Sequence, residues 1–367
     1  MDRFDIVILG GGVIGCALAD ELSRHGRRVA LLERGRIGGE ASSAAAGVLS
    51  AQTDLRRHDE VFELCQAARR MYPEWVRHLE SRSGTSIGLT ANGILYLAHT
   101  RKDALAHRRQ LAWQRRVGLK VERWSAAKVR RREPAVDGPV TEGFFFPTEA
   151  QLDNVRLMEA LAAVCRVSGV DVREHTEVRA LLVRNRHVRG VRTAAGAFHA
   201  PVVVNCLGSW AGKLAGAPRL VRVRPARGQI LVFHSPTRLI RRTLMSEHAY
   251  ATQRSDGRIV VGSTVEMAGF EKRLTLGGMS KILRGLKLMT SSADACPLVD
   301  AWAGLRPYPA DERPVMGATR LRGYYAATGH FRHGILLAPV TAALMAELIL
   351  RDRTSLDLTP FSPLRPS

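Results

Sequence analysis

The sequence has few cysteines, and their pattern would build neither a disulfide framework nor a metal site. The five cysteines are spread over 367 residues, without a CxxC pair or the spacing of zinc ligands. Widely spaced single thiols are typical of proteins kept in a reducing compartment. We therefore expect reduced thiols, no metal ion and a cytoplasmic location.

Long apolar runs are lacking as well. The longest, Gly334–Leu350, contains Pro339 and Glu347 and is short for a membrane-spanning segment, so we interpret it as a core helix. Only four residues precede the first predicted strand, and we expect no signal peptide because that length leaves no room for one. The GxSxG and HExxH motifs are missing too, which leaves hydrolase and metalloprotease functions without support.

Acidic residues are scarce relative to basic ones. The 34 acidic residues stand against 55 basic ones, which gives a net charge of +21 and a pI of about 10.9. A basic chain can bind nucleic acid or an anionic membrane surface, yet no nucleic-acid-binding motif accompanies these residues. We expect a solvated basic surface and no nucleic-acid partner, and weak association with a membrane surface stays open.

The clearest positive signal is a pattern at the start of the chain. Asp5–Leu9 is predicted to be a buried strand, and Gly10–Gly15 (GGGVIG) follows it directly. Cys16–His25 is predicted to be a helix, and a second strand, Val29–Leu32, is followed by Glu33. Strand, glycine turn, helix, strand and acid in this order are typical of a dinucleotide-binding fold.

Each part of the glycine turn has a physical role. Gly10 permits the tight turn, Gly12 lets the backbone approach a pyrophosphate, and Gly15 lets the helix and strand pack closely. Val13 and Ile14 lead into the helix, whose N-terminal N–H groups and positive dipole end attract phosphate. The acid at position 33 lies 18 residues beyond the last glycine, about where a ribose-binding acid is found.

The next segment favours FAD over NAD. Gly38–Gly47 (GGEASSAAAG) consists almost entirely of very small residues, which allow close contact between the backbone and a bulky ligand. An NAD-binding domain would normally enter another crossover helix with larger core residues here. A flexible linker is the other interpretation, but Val48 and Leu49 resume an apolar pattern at once.

Periodicity and turn residues predict the remaining elements. The predicted helices are Leu55–Arg82, Asp103–Val117, Asp153–Ser168 (with Asp153 or Asn154 as N-cap) and Ile335–Leu350. The predicted strands are Gly143–Pro147, Val170–Val172, Val178–Arg184, Val188–Thr193, Val202–Asn205, Gln229–His234, Arg258–Ser263 and Tyr324–Thr328. Hairpin turns are predicted at Asn92-Gly93, within Thr90–Leu97, and at Asp256-Gly257. Leu207-Gly208, a second strand–glycine junction, is a candidate cofactor contact.

The order of these elements predicts a discontinuous, mixed α/β (α+β) architecture. βαβ pieces lie towards both ends of the chain, and β-rich segments lie between them. We expect a Rossmann-like FAD-binding domain from residues 1–80, 145–220 and 318–367. An antiparallel-β substrate domain, from residues 81–144 and 221–317, would be inserted into it.

Six segments resemble one family over nearly the whole chain. They are GGGVIG (10–15), GGEASSAAAGVL (38–49), AQLDN (150–154), GRIVVGSTVE (257–266), WAGLRP (302–307) and GHFRHGILLAP (329–339). The chain resembles the FAD-dependent amino-acid oxidases of the D-amino-acid oxidase superfamily, and among them the glycine oxidase group of thiamine biosynthesis. The last two segments are the most specific, because they combine a tryptophan, glycines and an arginine in fixed order.

The resemblance implies roles for residues at matching positions. Glu33 would bind the adenosine ribose, and Val178 would contact the adenine part through its backbone. Arg306 would hold the substrate carboxylate, with Tyr250 and Arg332 close to the substrate. The residues implied to line FAD are Arg34, Ala41, Ser42, Ala46, Gly47, Val48, His330, Phe331, Arg332, His333, Gly334, Ile335 and Leu336.

The residues around Arg306 agree with the implied role. A guanidinium is planar and can grip a carboxylate with two parallel hydrogen bonds. Its neighbours Ala303, Gly304 and Leu305 are apolar or small, so a solvent-facing charge would be unexpected, and a structural salt bridge is the alternative. Tyr308-Pro309 departs from the Gly-Thr that glycine oxidases often carry, a difference that bears on the width of the substrate pocket.

The expected function is the oxidation of glycine or another small amine or D-amino acid. The resemblance implies hydride transfer from the substrate α-carbon to flavin N5, O2 as the acceptor with H2O2 as product, and an imine for the thiazole of thiamine. No cysteine follows Cys296, where relatives with covalent flavin carry one, so we expect noncovalent FAD. A D-amino-acid dehydrogenase that reduces a quinone and a noncatalytic flavin-binding protein stay open, and relatives suggest a homo-oligomer.

Overall fold

The computed structural model describes residues 3–55 and 57–366. The helices are α1 (Val13–Arg24), α2 (Glu60–Ser83), α3 (Arg101–Arg116), α4 (Ala126–Arg132), α5 (Asn154–Val167), α6 (Leu276–Met289) and α7 (Gly334–Arg351), with 3-10 turns at Gly208–Lys213, Phe331–His333 and Thr359–Phe361. The strands are β1 (Ile6–Leu9), β2 (Val29–Leu32), β3 (Val48–Leu49), β4 (Ile94–Ala98), β5 (Glu122–Ser125), β6 (Glu142–Phe146), β7 (Ala150–Gln151), β8 (Asp171–Arg173), β9 (Val178–Arg184), β10 (His187–Thr193), β11 (Gly196–His199), β12 (Val202–Asn205), β13 (Val223–His234), β14 (Thr243–Met245), β15 (Tyr250–Gln253), β16 (Arg258–Gly262), β17 (Leu298–Pro309), β18 (Val315–Ala318) and β19 (Tyr324–Thr328).

A six-stranded sheet with the order β18-β19-β12-β1-β2-β8 carries the glycine turn. All its neighbouring strands are parallel except β18 and β19. Ile6 and Ile8 of β1 pack into a core with the helices α1, α2, α5 and α7, whereas Val7 and Leu9 pack on the other side with strands β9 and β10. The strand is covered on both faces, which explains its unbroken apolar sequence.

An eight-stranded sheet with the order β17-β13-β16-β15-β14-β4-β6-β5 forms the second part of the fold. Its strands are antiparallel except for the pair β14 and β4. The chain enters this sheet twice, since strands β4–β6 and β13–β17 alternate with those of the first sheet. The predicted class, a Rossmann-like domain combined with an antiparallel-β part, is confirmed. The residue limits of the two domains stay a prediction.

Most predicted elements are present with small shifts at their ends, and one turn is wrong. The hairpin at Asn92-Gly93 does not form, because only Ile94–Ala98 is a strand there and it pairs with β6 and β14. The amide of Gly93 instead donates to the carbonyl of Glu149, and the Asn92 side chain donates to the carbonyl of Arg241. Tertiary contacts override the local turn preference at this site.

Three other boundaries are informative. Helix α1 begins at Val13, three residues before the predicted start, because Gly12 is already its N-cap. Helix α2 begins at Glu60 with Asp59 as N-cap, so the predicted start at Leu55 is too early. The N-cap of α5 is Asp153, as predicted, and the hairpin at Asp256-Gly257 joins β15 to β16, as predicted.

Helix α7 has the length and composition of a membrane span but lies in the protein core. Of the described residues, only the stretch Phe331–Arg351 passes that test, with a mean hydropathy of 1.8, and 67% of its most apolar window is buried. The helix packs against α1 and α2. Its burial confirms the interpretation as a core helix.

Candidate active site

The glycine turn after β1 is packed too tightly for a side chain at two positions. A Cβ on Gly10, whose φ is +102°, would lie 2.5 Å from the carbonyl oxygen of Cys206, and a Cβ on Gly15 would lie 2.0 Å from the carbonyl oxygen of Gly10. These contacts draw α1 against β1 and β12. The N-terminal amides of α1, which lack partners within the helix, therefore face the cleft at the carboxyl ends of the strands.

Glu33 and Ser42 hold the two sides of this turn. The carboxylate of Glu33 accepts hydrogen bonds from the amides of Gly11 and Gly35, both at 2.8 Å. The hydroxyl of Ser42 accepts one from the amide of Val13 at 2.9 Å. Each oxygen of a carboxylate has a second acceptor site, so Glu33 can still accept from a ligand in the cavity that it lines.

A cavity connects the glycine turn to the second sheet. Its lining residues are Gly10, Gly12, Val13, Ile14, Glu33, Arg34, Glu40, Ala41, Ser42, Ala44, Ala45, Cys206, Leu207, Gly208, Ser209, Trp210, Gly228, Gly304, Leu305, Arg306, Pro307, Ala327, Thr328, His330, Phe331, Arg332, Gly334 and Ile335. Towards the nucleotide side, the guanidinium of Arg34 stacks 3.9 Å from the centre of the Trp210 ring. The predicted contact at Leu207-Gly208 also lies on this wall.

The residues of this cavity suit FAD. The glycine turn and the α1 N-terminus offer amides to a pyrophosphate, and Glu33 offers an acceptor to ribose hydroxyls. Beyond them the wall is made of glycines and alanines, where a flat ring could lie against the backbone. Burial raises the pKa of the Cys206 thiol, which keeps it protonated and poorly reactive. We call this space the cofactor cavity.

The small-residue loop at 42–47 is held by side chains from three distant elements. Asn154 at the start of α5 donates to the carbonyls of Ser42 and Ser43 at 3.0 and 2.8 Å. Trp302 of β17 donates to the carbonyl of Ala44 at 3.1 Å. Arg254, between β15 and β16, donates to the carbonyl of Ala46. With its carbonyls occupied, this loop forms a fixed wall of the cofactor cavity.

Arg254 is a buried cation with mostly neutral partners. Its side chain also donates to Gln151 at 2.9 Å, and the residue is only 7% exposed. Burial lowers the pKa of Arg254 to about 10, against the opposing effect of Asp153. The remaining positive charge polarises the carbonyls that it binds, and the hydrogen bonds compensate for its desolvation.

A second cavity of about 310 Å³ adjoins the cofactor cavity. It is lined by Ala45, Ala46, Gly47, Val48, Ser50, Asp54, Met245, Ser246, Glu247, His248, Ala249, Tyr250, Gly262, Ser263, Val265, Lys281, Arg306, Phe331, Arg332 and Ile335. Arg306, Phe331 and Arg332 belong to both cavities. A small molecule in the second cavity would therefore lie beside a cofactor in the first, and the volume suits a small ligand.

Arg306 lies on β17 at the junction of the two cavities. Its guanidinium donates to the carbonyl of Thr264 at 3.0 Å and to the hydroxyl of Ser263 at 2.7 Å. No carboxylate forms a salt bridge with it in the described part of the chain, which disfavours the structural salt bridge weighed above. Burial lowers the pKa of Arg306, partly offset by Tyr250, and an arginine in this state remains charged.

Tyr250 and Arg332 flank this guanidinium. Burial raises the pKa of Tyr250, which keeps its hydroxyl protonated, while Arg306 acts in the opposite direction. Arg332 is 41% exposed in its side chain and lies 3.8 Å from Glu312. The three residues predicted to handle substrate therefore share one cavity, with Tyr250 inside and Arg332 towards its mouth.

The loop before α7 forms the wall between the two cavities. His330 is buried, and its Nε2 lies 3.0 Å from the Thr341 hydroxyl. Burial lowers the pKa of His330 to about 3 and also lowers that of His333, so both imidazoles are neutral at pH 7. Phe331 packs edge-on against Tyr308 at 4.8 Å. Tyr308 and Pro309 do not line either cavity themselves, but Tyr308 contacts Phe331, which lines both.

Four predicted cofactor residues lie outside the two linings. Gly15 lies within the first turn of α1, and Leu336 is buried in the helical core. His333 is buried next to the loop described above. Val178 begins β9, two residues after Thr176, whose amide donates to the carbonyl of Glu33. Ala46, Gly47 and Val48 line the second cavity and not the first. Cofactor contacts at these positions stay predictions.

Several residues of the site escaped sequence reasoning. Asn154, Trp302 and Arg254 act through backbone carbonyls, and Asp54 and Lys281 reach the second cavity from a loop and from α6. Asn154 lies in the AQLDN segment and Trp302 in the WAGLRP segment, but the resemblance implied no role for either residue. A tryptophan after a strand–glycine junction, Trp210, was a usable signal for the nucleotide side.

Comparison with known proteins identifies the class. The family model described as "FAD dependent oxidoreductase" (DAO) matches residues 5–348. The chain belongs to this family, which confirms the resemblance inferred from its motifs and the prediction of FAD as cofactor.

Within this family the chain is similar to glycine oxidases. Glycine oxidase of Geobacillus kaustophilus is 33% identical over 368 residues, covering 99% of this chain and 97% of that protein. Its crystal structure superposes with a TM-score of 0.96, 32% identity and full coverage of both chains. The bifunctional protein ThiO/ThiG of Trichormus variabilis is 33% identical over 97% of this chain, which spans 54% of that protein. The chain is therefore an FAD-dependent enzyme similar to glycine oxidases.

The role of Glu33 can be tested by substituting it and, as a control, a second glutamate that does not line the cavity. Glu33→Gln should weaken FAD binding about tenfold or more, because a charged acceptor contributes about 1.5–3 kcal/mol in a hydrogen bond. The dissociation constant is measured by fluorescence on adding FAD to the apoprotein. Glu174→Gln is the control, since Glu174 accepts from the amide of Ile37 at 2.7 Å without lining the cavity. Equal losses in both variants would assign Glu33 to loop anchoring alone.

Arg254 should matter for FAD binding although it does not line the cofactor cavity. Arg254→Met leaves the carbonyl of Ala46 without its donor, and an unsatisfied buried acceptor costs about 1–3 kcal/mol. We expect weaker FAD binding and an altered flavin visible absorption spectrum. The exposed Arg238 supplies the control Arg238→Met. A variant with an unfolding midpoint well below that of the wild type but unchanged FAD affinity and spectrum would contradict the assignment.

Proposed function

We propose that the chain oxidises glycine or another small amino acid or amine with FAD. The observation that supports this most directly is Arg306, a guanidinium at the junction of two cavities that has no carboxylate partner among the described residues. FAD, when bound, supplies the acceptor for the hydride that leaves the substrate α-carbon. The names of similar proteins, glycine oxidases, support the same substrate class.

The residues of the second cavity would act by positioning the substrate. Arg306 has N–H groups beyond those bound to Thr264 and Ser263, and these can hold a carboxylate in two parallel bonds. The protonated hydroxyl of Tyr250 can donate to the same carboxylate. Correct placement of a reacting carbon is worth several kcal/mol of the barrier by itself, so positioning by these residues supplies part of the rate enhancement.

The acceptor and the metabolic role are further parts of the proposal. Reoxidation by O2, with H2O2 as product, follows the name oxidase that the similar proteins carry. The match to bifunctional ThiO/ThiG proteins supports supply of an imine for the thiazole of thiamine. Noncovalent FAD, a cytoplasmic location and a homo-oligomer stay predictions. The net charge of +21 is the observation that favours the alternative, electron transfer to a quinone at an anionic membrane.

A substrate and acceptor panel tests the proposal. Purified protein should release FAD on acid precipitation, and glycine, sarcosine or D-alanine should bleach the bound flavin anaerobically faster than D-phenylalanine does. Admission of O2 should restore the colour and give one H2O2 per turnover. In a D-amino-acid dehydrogenase that reduces a quinone, the reduced flavin would be reoxidised rapidly only by quinone. Absence of bleaching by every amine in the panel would refute amino-acid oxidation and leave a noncatalytic flavin-binding protein.

Arg306 should determine the affinity for the carboxylate. Arg306→Ala should lower kcat/KM for glycine by about 30-fold to a few thousandfold, because losing one partner of a desolvated charge pair costs about 2–5 kcal/mol. Arg306→Lys should restore only part of this loss, since an ammonium cannot reproduce the guanidinium fork. Steady-state kinetics with glycine and with a simple amine lacking the carboxylate give the comparison. A carboxylate anchor requires the loss to be specific to glycine, so equal slowing of both substrates contradicts the role.

A further inference from the structure

The second cavity has an acidic residue on its wall in addition to the arginines. Asp54 lies on the loop between β3 and α2, is half-buried and lines this cavity. The hydroxyl of Ser50 donates to its Oδ2 at 2.6 Å. Its other oxygen, Oδ1, accepts no hydrogen bond from the described residues. Glu247, the other acid of the lining, is exposed at the mouth.

The backbone on both sides of Asp54 is held in place by a buried acid. Glu149 accepts hydrogen bonds from the amide of Ala51 at 2.9 Å and from the hydroxyl of Thr53 at 3.0 Å. The side chain of Gln66 on α2 donates to the carbonyl of Ala51 at 2.7 Å. A short loop fixed by these contacts places its acid with little freedom, as a binding residue requires.

Residues of opposite charge line the second cavity, among them Arg306 and Asp54. Burial raises the pKa of Tyr250 most strongly, Arg306 lowers it and Asp54 raises it. Arg306 and Asp54 therefore act on one phenol from the walls of one cavity. An amino acid in its zwitterionic form carries the complementary pair, an anionic carboxylate and a cationic amine on neighbouring carbons.

We propose that Asp54 binds the amine of the substrate while Arg306 binds its carboxylate. The proposal rests on the proposed function and deepens it, because it limits good substrates to amines that carry both groups and at least one N–H. With both ends held, the α-carbon between them has a single position next to the cofactor cavity. A substrate held only by its carboxylate would rotate about that anchor.

Two ligands that differ only in the amine test this assignment on the FAD-loaded protein. Glycine binding is measured from the concentration dependence of flavin reduction in anaerobic rapid mixing. Acetate binding is measured from the change in flavin absorbance. Asp54→Asn should weaken glycine binding about tenfold to a hundredfold, since bonds to charged groups are strong. Acetate should bind equally well or more tightly, because a negative charge has left the cavity.

Three further variants distinguish amine binding by Asp54 from a general effect of charge or of loop structure. Ser50→Ala removes the partner of Oδ2 but keeps the acid, so it should retain the preference of the wild type for glycine over acetate. Glu74→Gln removes one negative charge from an exposed position on α2 and should change the affinity for neither glycine nor acetate. Arg306→Lys should weaken the binding of both ligands, since both carry a carboxylate.

The outcomes decide the assignment. Weakened glycine binding with unchanged or tighter acetate binding supports Asp54 as the amine-binding residue. Wild-type affinity of Asp54→Asn for both ligands overturns it, and so does a parallel loss of both, which would make Asp54 a loop residue only. If no amino acid reduces the flavin of the wild type, the proposed function fails, and this result is distinct from a failure of Asp54 alone.

Discussion

The loop at 42–47 is the part on which the rest of the site depends. It lies between the six-stranded and the eight-stranded sheet, and it contributes to the walls of both cavities. Small side chains let it approach a ligand closely, but small side chains also make a backbone flexible. Hydrogen bonds from Asn154, Trp302 and Arg254 to its carbonyls remove that freedom. Because these donors come from helix α5 and from two parts of the eight-stranded sheet, the loop can take its position only when the helix and this sheet pack together.

The buried Arg254 and the half-buried Arg306 differ in how many of their N–H groups have a partner. The guanidinium of Arg254 donates hydrogen bonds to the amide oxygen of Gln151 and to the carbonyl of Ala46, so its charge is stabilised by groups within the protein. Only some of the N–H groups of Arg306 donate hydrogen bonds to the protein, and the residue lines both cavities. An incompletely solvated guanidinium is costly without an anion, and a bound carboxylate would lower that cost. This difference supports the proposal that Arg306, and not Arg254, binds the substrate carboxylate.

Sequence reasoning succeeded where contacts are local and failed where they are not. The glycine turn and Glu33 are recognisable because strand, turn, helix and acid follow each other along the chain. Arg254 and Ala46 are 208 residues apart, and Trp302 and Ala44 are 258 apart, so no local pattern reveals these bonds. The same cause explains the wrong hairpin at Asn92-Gly93, where the turn residues are used by contacts to Glu149 and Arg241.

The position of Arg306 follows from the geometry of the second sheet. Strands β13 and β17 pair over their length with Gly228 opposite Gly304, and a Cβ on Gly228 would lie 2.0 Å from an Nη of Arg306. A Cβ on Gly304 would lie 2.6 Å from the Cβ of Ala44. Two glycines therefore make room for the guanidinium on one side and for the cofactor loop on the other. The sheet therefore places the Arg306 guanidinium, the proposed carboxylate-binding group, beside the wall of the cofactor cavity through its own backbone packing.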